Sequence, residues 1–362
     1  MPSFRYGNPA VIHWGAGCIS EGLIEALGGA RRVLLVTTRS AVEDAQLSPF
    51  VESLLGDRLA GRAVIGQHAP AASVMEAVSQ ARDADALLSL GGGSPIDAAK
   101  AVAFSVATGL DLRLPDAPLR SRSMKLGKVL PHIALPTTLS VAELGQSAGF
   151  SAEGTREKVG VNAPQLLPAA VFYDANLAVR TPLPLWLSTG IRAVDHAVET
   201  LIAEGEHPLA DTTALEGLRR LSKALPAAKA RPDDPEARTA GQLGAWFSYL
   251  LPSKAAVGLS HRLGKQLGSK YGIPHGVTSC LLLPHVLRVL APRHPVAAGR
   301  IAEALGAPNA ADGVASLIEE LDLPRHLSHW KLTGDQLRQA ALPLVSPEIS
   351  EAELMGILRA AQ

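Results

Sequence analysis

The chain has 362 residues, of which 47% are apolar, and its 34 Lys and Arg cancel 34 Asp and Glu. That length suggests two domains with large cores, and the balanced charge gives no general attraction to nucleic acid or acidic membrane. Aromatics, at 4%, are too sparse for single-strand stacking platforms. Cys18 and Cys280 cannot frame a disulfide scaffold. No apolar run reaches the roughly 18–20 residues of a membrane span, and the first residues lack an apolar signal core. The expectation is a soluble, cytoplasmic protein.

The first half alternates helical patterns with short apolar runs. Helices are expected at 18–29, 41–60, 71–84 and 94–109. Buried strands are expected at 31–38, 62–67, 85–93, 132–138 and 166–175. Continuous apolar strands between helices predict an α/β layer on a mainly parallel sheet. After about residue 180 the periodicity turns helical throughout, over 187–205, 210–230, 237–269, 277–291 and 296–306, with 230–237 a proline- and charge-rich loop. Two domains are therefore expected: a dinucleotide-binding α/β domain over 1–177 and an all-helical catalytic domain over 178–362.

The run LLSLGGGSPIDAAK reads as strand, glycine turn, helix. Glycines let the backbone approach an anion, Ser94 suits an N-cap and Pro95 the first helical position. Free N–H groups and the helix dipole then favour a pyrophosphate on Gly92, Gly93 and Ser94. The spacing is neither GxGxxG nor a Walker loop. A second loop, LPTTLSVAE, follows another strand and brings Thr137 and Thr138. Two such loops at strand carboxyl ends favour a dinucleotide site over a packing turn. At the end of RRVLLVTT, Thr38 and Arg39 stand where an acid would hold a ribose 2′-hydroxyl. A neutral side chain and a cation tolerate a 2′-phosphate, so NADP is expected to be accepted alongside NAD.

His196, His261 and His275 are the remaining candidates. His196 lies in IRAVDHAVET, sharing a helix face with Arg192 and Glu199. His261 has Lys265 one turn later, and His275 opens another helical run.

GGGSPIDAAK, LPTT, HAVE and the GLSH…GIPHG pair resemble the iron-containing (group III) alcohol dehydrogenase family, in its order and spacing. The resemblance implies a dehydroquinate-synthase-like fold with NAD or NADP on the α/β domain and homodimers. It adds Asp97, Glu143 and Lys158 to the cofactor set, Lys158 near the nicotinamide ribose. It implies a divalent iron or zinc held by one Asp and three His, the histidines matching His196, His261 and His275. Where the family pattern GxDAxxHAxE has its Asp, this chain has Arg192, and a further family histidine is Lys265. Asp195 is not expected to substitute, because residue i−1 lies about 100° around a helix. A divalent ion about 5 Å from a guanidinium is repelled by roughly 7 kcal/mol at an effective dielectric of about 20, so a tightly bound metal is disfavoured. An anion fits better: Arg192 offers a planar fork to a carboxylate and Lys265 a second charge.

The maleylacetate-reductase-like branch departs from the family pattern in the same direction, with Glu eight positions into the PTT motif, where Glu143 stands. The expected activity is reduction by NAD(P)H of a small carboxylate-bearing C=C or C=O substrate. Arg192 and Lys265 would hold the carboxylate, and protonated His261 or His275 would stabilise or protonate the oxygen. Two alternatives remain: a metal-dependent alcohol dehydrogenase with three histidine ligands, and a non-redox, lyase-like or vestigial member of the same fold.

Overall fold

The computed structural model describes residues 7–154, 158–205, 207–249 and 258–362. Its contacts divide between Thr181 and Pro182. The expected division at 177 falls inside a short helix, Ala175–Ala178, instead.

The first unit is built on six parallel strands: β1 (Val11–Trp14), β2 (Val33–Thr38), β3 (Leu59–Ile65), β4 (Ala86–Gly91), β5 (His132–Pro136) and, after a small hairpin, β8 (Ala170–Tyr173). Their order is β1-β8-β5-β4-β2-β3, and each pair is parallel. β4 and β5 are buried along their whole length, which is why they read as unbroken apolar runs. The hairpin of β6 (Ser147–Ser151) and β7 (Lys158–Asn162) is antiparallel. Around the sheet lie α1 (Cys18–Leu27), α2 (Arg39–Glu43), α3 (Leu47–Leu55), α4 (Ala71–Gln80), α5 (Gly93–Thr108), α6 (Ala117–Ser121) and α7 (Ala175–Ala178). One apolar cluster packs α4 and α5 on β2 and β3, and another packs α1 and α3 on β2, β4 and β8.

The single helix expected over 41–60 is two helices. Asp44 ends α2 in extended conformation, and its carboxylate accepts the backbone N–H groups of Gln46 and Leu47. This local side-chain alternative to helical bonding breaks the run. Leu59 and Ala60 belong to β3. Asp174 is buried and accepts the N–H groups of Gly17, Ile19 and Asn176, fixing the starts of α1 and α7.

The second unit is helical: α8 (Leu183–Ile202), α9 (Pro208–Ala230), α10 (Pro235–Ser248), α11 (Leu259–Tyr271), α12 (His275–Leu290), α13 (Pro295–Leu305), α14 (Ala310–Glu320), α15 (Gly334–Ala341) and α16 (Glu351–Ala360). The continuous helix expected over 237–269 is divided between α10 and α11; residues 250–257 lie outside the described set. α8 is buried on several faces at once, Ile191, Val194, Asp195, His196 and Val198 all being enclosed. A Cβ at Gly276 would sit 2.8 Å from the Ser188 carbonyl oxygen, so glycine there lets the start of α12 close on α8.

Candidate functional site

In the first unit the chain leaves β4 at Gly91, whose φ of 134° is open only to glycine without strain. The helix therefore begins earlier than expected. Gly92 is the N-cap and α5 starts at Gly93, with no side chain capping it. Ser94 is not the cap; it lies inside the first turn, and its hydroxyl accepts the His68 backbone N–H at 3.0 Å. An uncapped helix start leaves N–H groups for a ligand.

The second loop abuts the first. Thr137 N–H donates to the Gly91 carbonyl at 2.9 Å, and a Cβ on Gly92 would lie 3.1 Å from the Thr138 side chain. Thr138 and Ser140 hydroxyls are buried without a partner among the described residues. Buried orphan hydroxyls beside an uncapped helix start suit an anionic group that completes their bonding. Thr37 points elsewhere, donating to the Leu90 carbonyl. Thr38 lies beside Gly91 and caps α2 through the Ala41 N–H, while Arg39 is exposed.

Beneath the loops is a buried charged group. Lys100 is fully enclosed and donates to the carbonyls of Ala142 and Gly145, each at 2.5 Å, so α5 pins the turn after β5. Burial lowers its pKa, and Asp97 and Glu143 oppose that. Glu143 accepts the Tyr173 hydroxyl at 2.9 Å, and burial raises its pKa to about 7. Its second oxygen has no partner among the described residues. A Cβ on Gly149 would meet Lys158 Cε at 2.6 Å and Asp97 Oδ2 at 3.3 Å, so Lys158 and Asp97 flank one point of β6.

In the second unit α8 and α11 bring His196 and His261 together, their ring centroids 4.6 Å apart. Tyr249 meets His196 edge-on. Both histidines are buried. His261 Nδ1 is 2.7 Å from Glu199 Oε2 and 3.4 Å from Asp195 Oδ2. Glu199 also takes the N–H groups of Gly258 and His261, so a carboxylate from α8 caps the start of α11. Asp195 Oδ2 accepts the hydroxyls of Ser260 at 2.8 Å and Ser279 at 2.7 Å. Arg192 lies 3.7 Å from the same oxygen and donates to Ser279 at 3.1 Å.

Three expectations need correction. Asp195 does face the cluster: α8 is enclosed by α11 and α12, so a side chain 100° away from His196 still turns toward them. Arg192 is not a bare cation, because Asp195 and Ser279 hold its Nη1; its Nε and Nη2 edge has no hydrogen bond within the described residues, and the side chain keeps 16% exposure. Nor do the three histidines form one donor set. Among the described residues, the grouping with three donor atoms within 4.8 Å is Asp195, Glu199 and His261. His275 opens α12 beside Gly268, and Lys265 is exposed on α11.

Burial dominates the titration. It lowers His261 to about 3, helped by the Arg192 charge, and pushes His196 down. It raises Glu199 to about 7 and raises Asp195. His261 is therefore a neutral imidazole at neutral pH, not the imidazolium expected. Both its ring nitrogens and the His196 Nδ1 are buried without hydrogen-bond partners among the described residues. Sequence reasoning overlooked Glu199 as a site residue; its spacing of three from His196, on the Arg192 face, was the available signal.

Residues 9–175 match the iron-containing alcohol dehydrogenase family and residues 186–352 its C-terminal part. Maleylacetate reductase 2 of Cupriavidus pinatubonensis is 34% identical over 315 residues, 85% of this chain and 80% of that protein. A maleylacetate reductase of Sphingobium indicum is 30% identical over 94% of this chain and 90% of its own length. The crystal structure of the Agrobacterium tumefaciens maleylacetate reductase superposes with a TM-score of 0.83 at 28% identity, covering 100% of this chain and 98% of that one.

Proposed function

The chain belongs to the iron-containing alcohol dehydrogenase family and is an NAD(P)-dependent oxidoreductase, and from that premise we propose that it reduces a small, carboxylate-bearing C=C or C=O compound of the maleylacetate type. Similarity to maleylacetate reductases over most of the chain carries this reading. The Arg192 edge supports it. Anchored through Nη1, the guanidinium presents Nε and Nη2, the pair that forks a carboxylate.

The family is named for iron, so the donor set must be weighed. Asp195 Oδ2 already takes two hydroxyl donors and faces Arg192. Glu199 is held by two backbone N–H groups, and His261 Nδ1 lies 2.7 Å from its Oε2. Asp195 Oδ1, His196 Nδ1 and both ring nitrogens of His261 are buried without hydrogen-bond partners among the described residues, but a divalent ion on them would sit next to the Arg192 guanidinium. That charge disfavours a tightly held metal, and no step is assigned to one.

The cofactor pyrophosphate would lie on Gly92, Gly93 and Ser94, with Thr138 completing its bonding. Glu143, Asp97 and Lys158 are its proposed neighbours, and Thr38 with Arg39 would accept NADP as well as NAD. Hydride leaves the nicotinamide for the substrate carbon. Arg192 fixes the substrate carboxylate. His261, a neutral imidazole, and His275 hydrogen-bond the reacting oxygen and relay its proton. Lys265, exposed one turn from His261, would add to the attraction for an anion.

The test is NADH and NADPH oxidation with unsaturated or keto dicarboxylates against neutral aldehydes of equal length. Preference for the acids, with Arg192→Ala raising KM for them far more than for aldehydes, supports the reading. Equal effects on both classes contradict it.

A further inference from the structure

We infer that Ser140, which the sequence did not single out, is a further cofactor-binding residue: its hydroxyl donates to the pyrophosphate at the start of α5, beside that of Thr138. The inference rests on the proposed place of the cofactor and deepens it.

The loop after β5 lies along the first turns of α5. A Cβ on Gly92 would stand 3.1 Å from Thr138 Oγ1, and one on Gly93 would stand 3.3 Å from Ser140 Oγ and 3.7 Å from the Ala142 Cβ. Thr138 therefore faces the N-cap and Ser140 the first residue of the helix, a start that no side chain caps. About two turns further along the same helix, Lys100 donates to the carbonyls of Ala142 and Gly145. The helix thus holds the loop at both ends. Between them Val141 keeps a φ of 55°, a left-handed conformation that strains a β-branched residue and persists only where its surroundings impose it.

The hydroxyls of this loop differ from those around it. Thr37 donates to the Leu90 carbonyl, Ser89 bonds His132 Nε2, and Thr181 donates to the Thr137 carbonyl. Thr138 and Ser140 hydroxyls are buried as well, yet they have no hydrogen-bond partner among the described residues, and Thr138 as a whole is only 6% exposed. A buried hydroxyl left unpaired destabilises the free protein. Two of them side by side, over backbone N–H groups that only donate and a helix end that favours negative charge, call for a guest rich in acceptors. Phosphate oxygens answer that description. Ser140 adds a donor on the Gly93 side of the group that Thr138 meets from the Gly92 side.

The experiment measures binding by full-length protein, with calorimetric titration of NADH and of ADP-ribose, which keeps the pyrophosphate and lacks the nicotinamide. Ser140→Ala should raise Kd for both by the same factor, about tenfold for one hydrogen bond to a charged group. Its Tm without nucleotide should not fall, because the variant loses an unpaired hydroxyl and no bond. A rise for NADH alone would put the hydroxyl on the nicotinamide half and overturn the inference. Unchanged affinity for both, or a lowered Tm with unchanged affinity as for a merely structural serine, also overturns it. Thr138→Val separates this from the reading beneath it. If Thr138→Val weakens both nucleotides and Ser140→Ala weakens neither, the cofactor's place stands and Ser140 alone is refuted. If neither variant weakens binding although the wild type binds NADH, the proposed place of the pyrophosphate is itself wrong.

Discussion

Replacing Arg192 with methionine removes a guanidinium while keeping most of its length, and tests whether that charge is part of a buried network. Asp195 has no exposed surface, and Arg192 Nη1 is 3.7 Å from its Oδ2. At that distance the gross attraction is about 4.5 kcal/mol for an effective dielectric of about 20. Breaking a buried pair from one side costs about 3–5 kcal/mol, because the other charge is left uncompensated. Ser260 and Ser279 still donate to Asp195, at 2.8 and 2.7 Å, which places the expected loss near the lower end, about 3 kcal/mol. At about 2.1 cal/mol/K of unfolding entropy per residue, that is a fall in Tm of about 4 °C for 362 residues. Differential scanning calorimetry at pH 7 reads it. Asp195→Asn in the same chain should recover part of the loss, since the amide oxygen keeps both hydroxyls and no charge is stranded. A Tm unchanged in Arg192→Met, or strictly additive effects in the double variant, would show that the two groups do not interact.

Two further outcomes follow from the first unit. Glu143 has its folded pKa raised from 4.5 to about 7 by burial. Its contribution to stability is therefore present below pH 4.5 and is lost as pH rises through about 7, a difference on the order of 3 kcal/mol. Glu143→Gln should lack that slope, gaining on the wild type in urea denaturation at pH 8 relative to pH 4.5; parallel profiles would remove the argument. Arg39→Ala should raise KM for NADPH about fivefold and spare NADH, the effect of ~1 kcal/mol from one exposed ion pair. Equal changes for both cofactors would mean that Arg39 reads no 2′-phosphate.

The parallel sheet was legible because β2, β4 and β5 are buried on both faces, which makes them continuous apolar runs. β1 escaped notice: it is an edge strand with Val11 and Trp14 largely exposed, so its pattern is mixed. The β6–β7 hairpin is rich in small and polar residues and gave no period. Helical periodicity ran straight through Asp44, where a carboxylate bonding its own backbone ends α2. At the site, α8 carried Arg192, His196 and Glu199 on one readable face. What sequence could not convey was enclosure. Asp195 was set aside on helical geometry, yet α11 and α12 surround α8 closely enough for Ser260, Ser279 and His261 to reach it. The same enclosure turned Arg192 from a free cation into one half of a pair, and made Glu199 a partner of His261.

The central claim is that the Arg192 guanidinium, paired with Asp195, disfavours a tightly bound metal at the His196–His261 cluster. Iron and zinc content of protein purified without chelator, measured by plasma mass spectrometry beside NADPH-dependent activity, tests it most directly. Substoichiometric metal, with activity indifferent to chelation, is the predicted result. A full complement of iron or zinc, lost together with activity on chelation and restored with it, would contradict the claim.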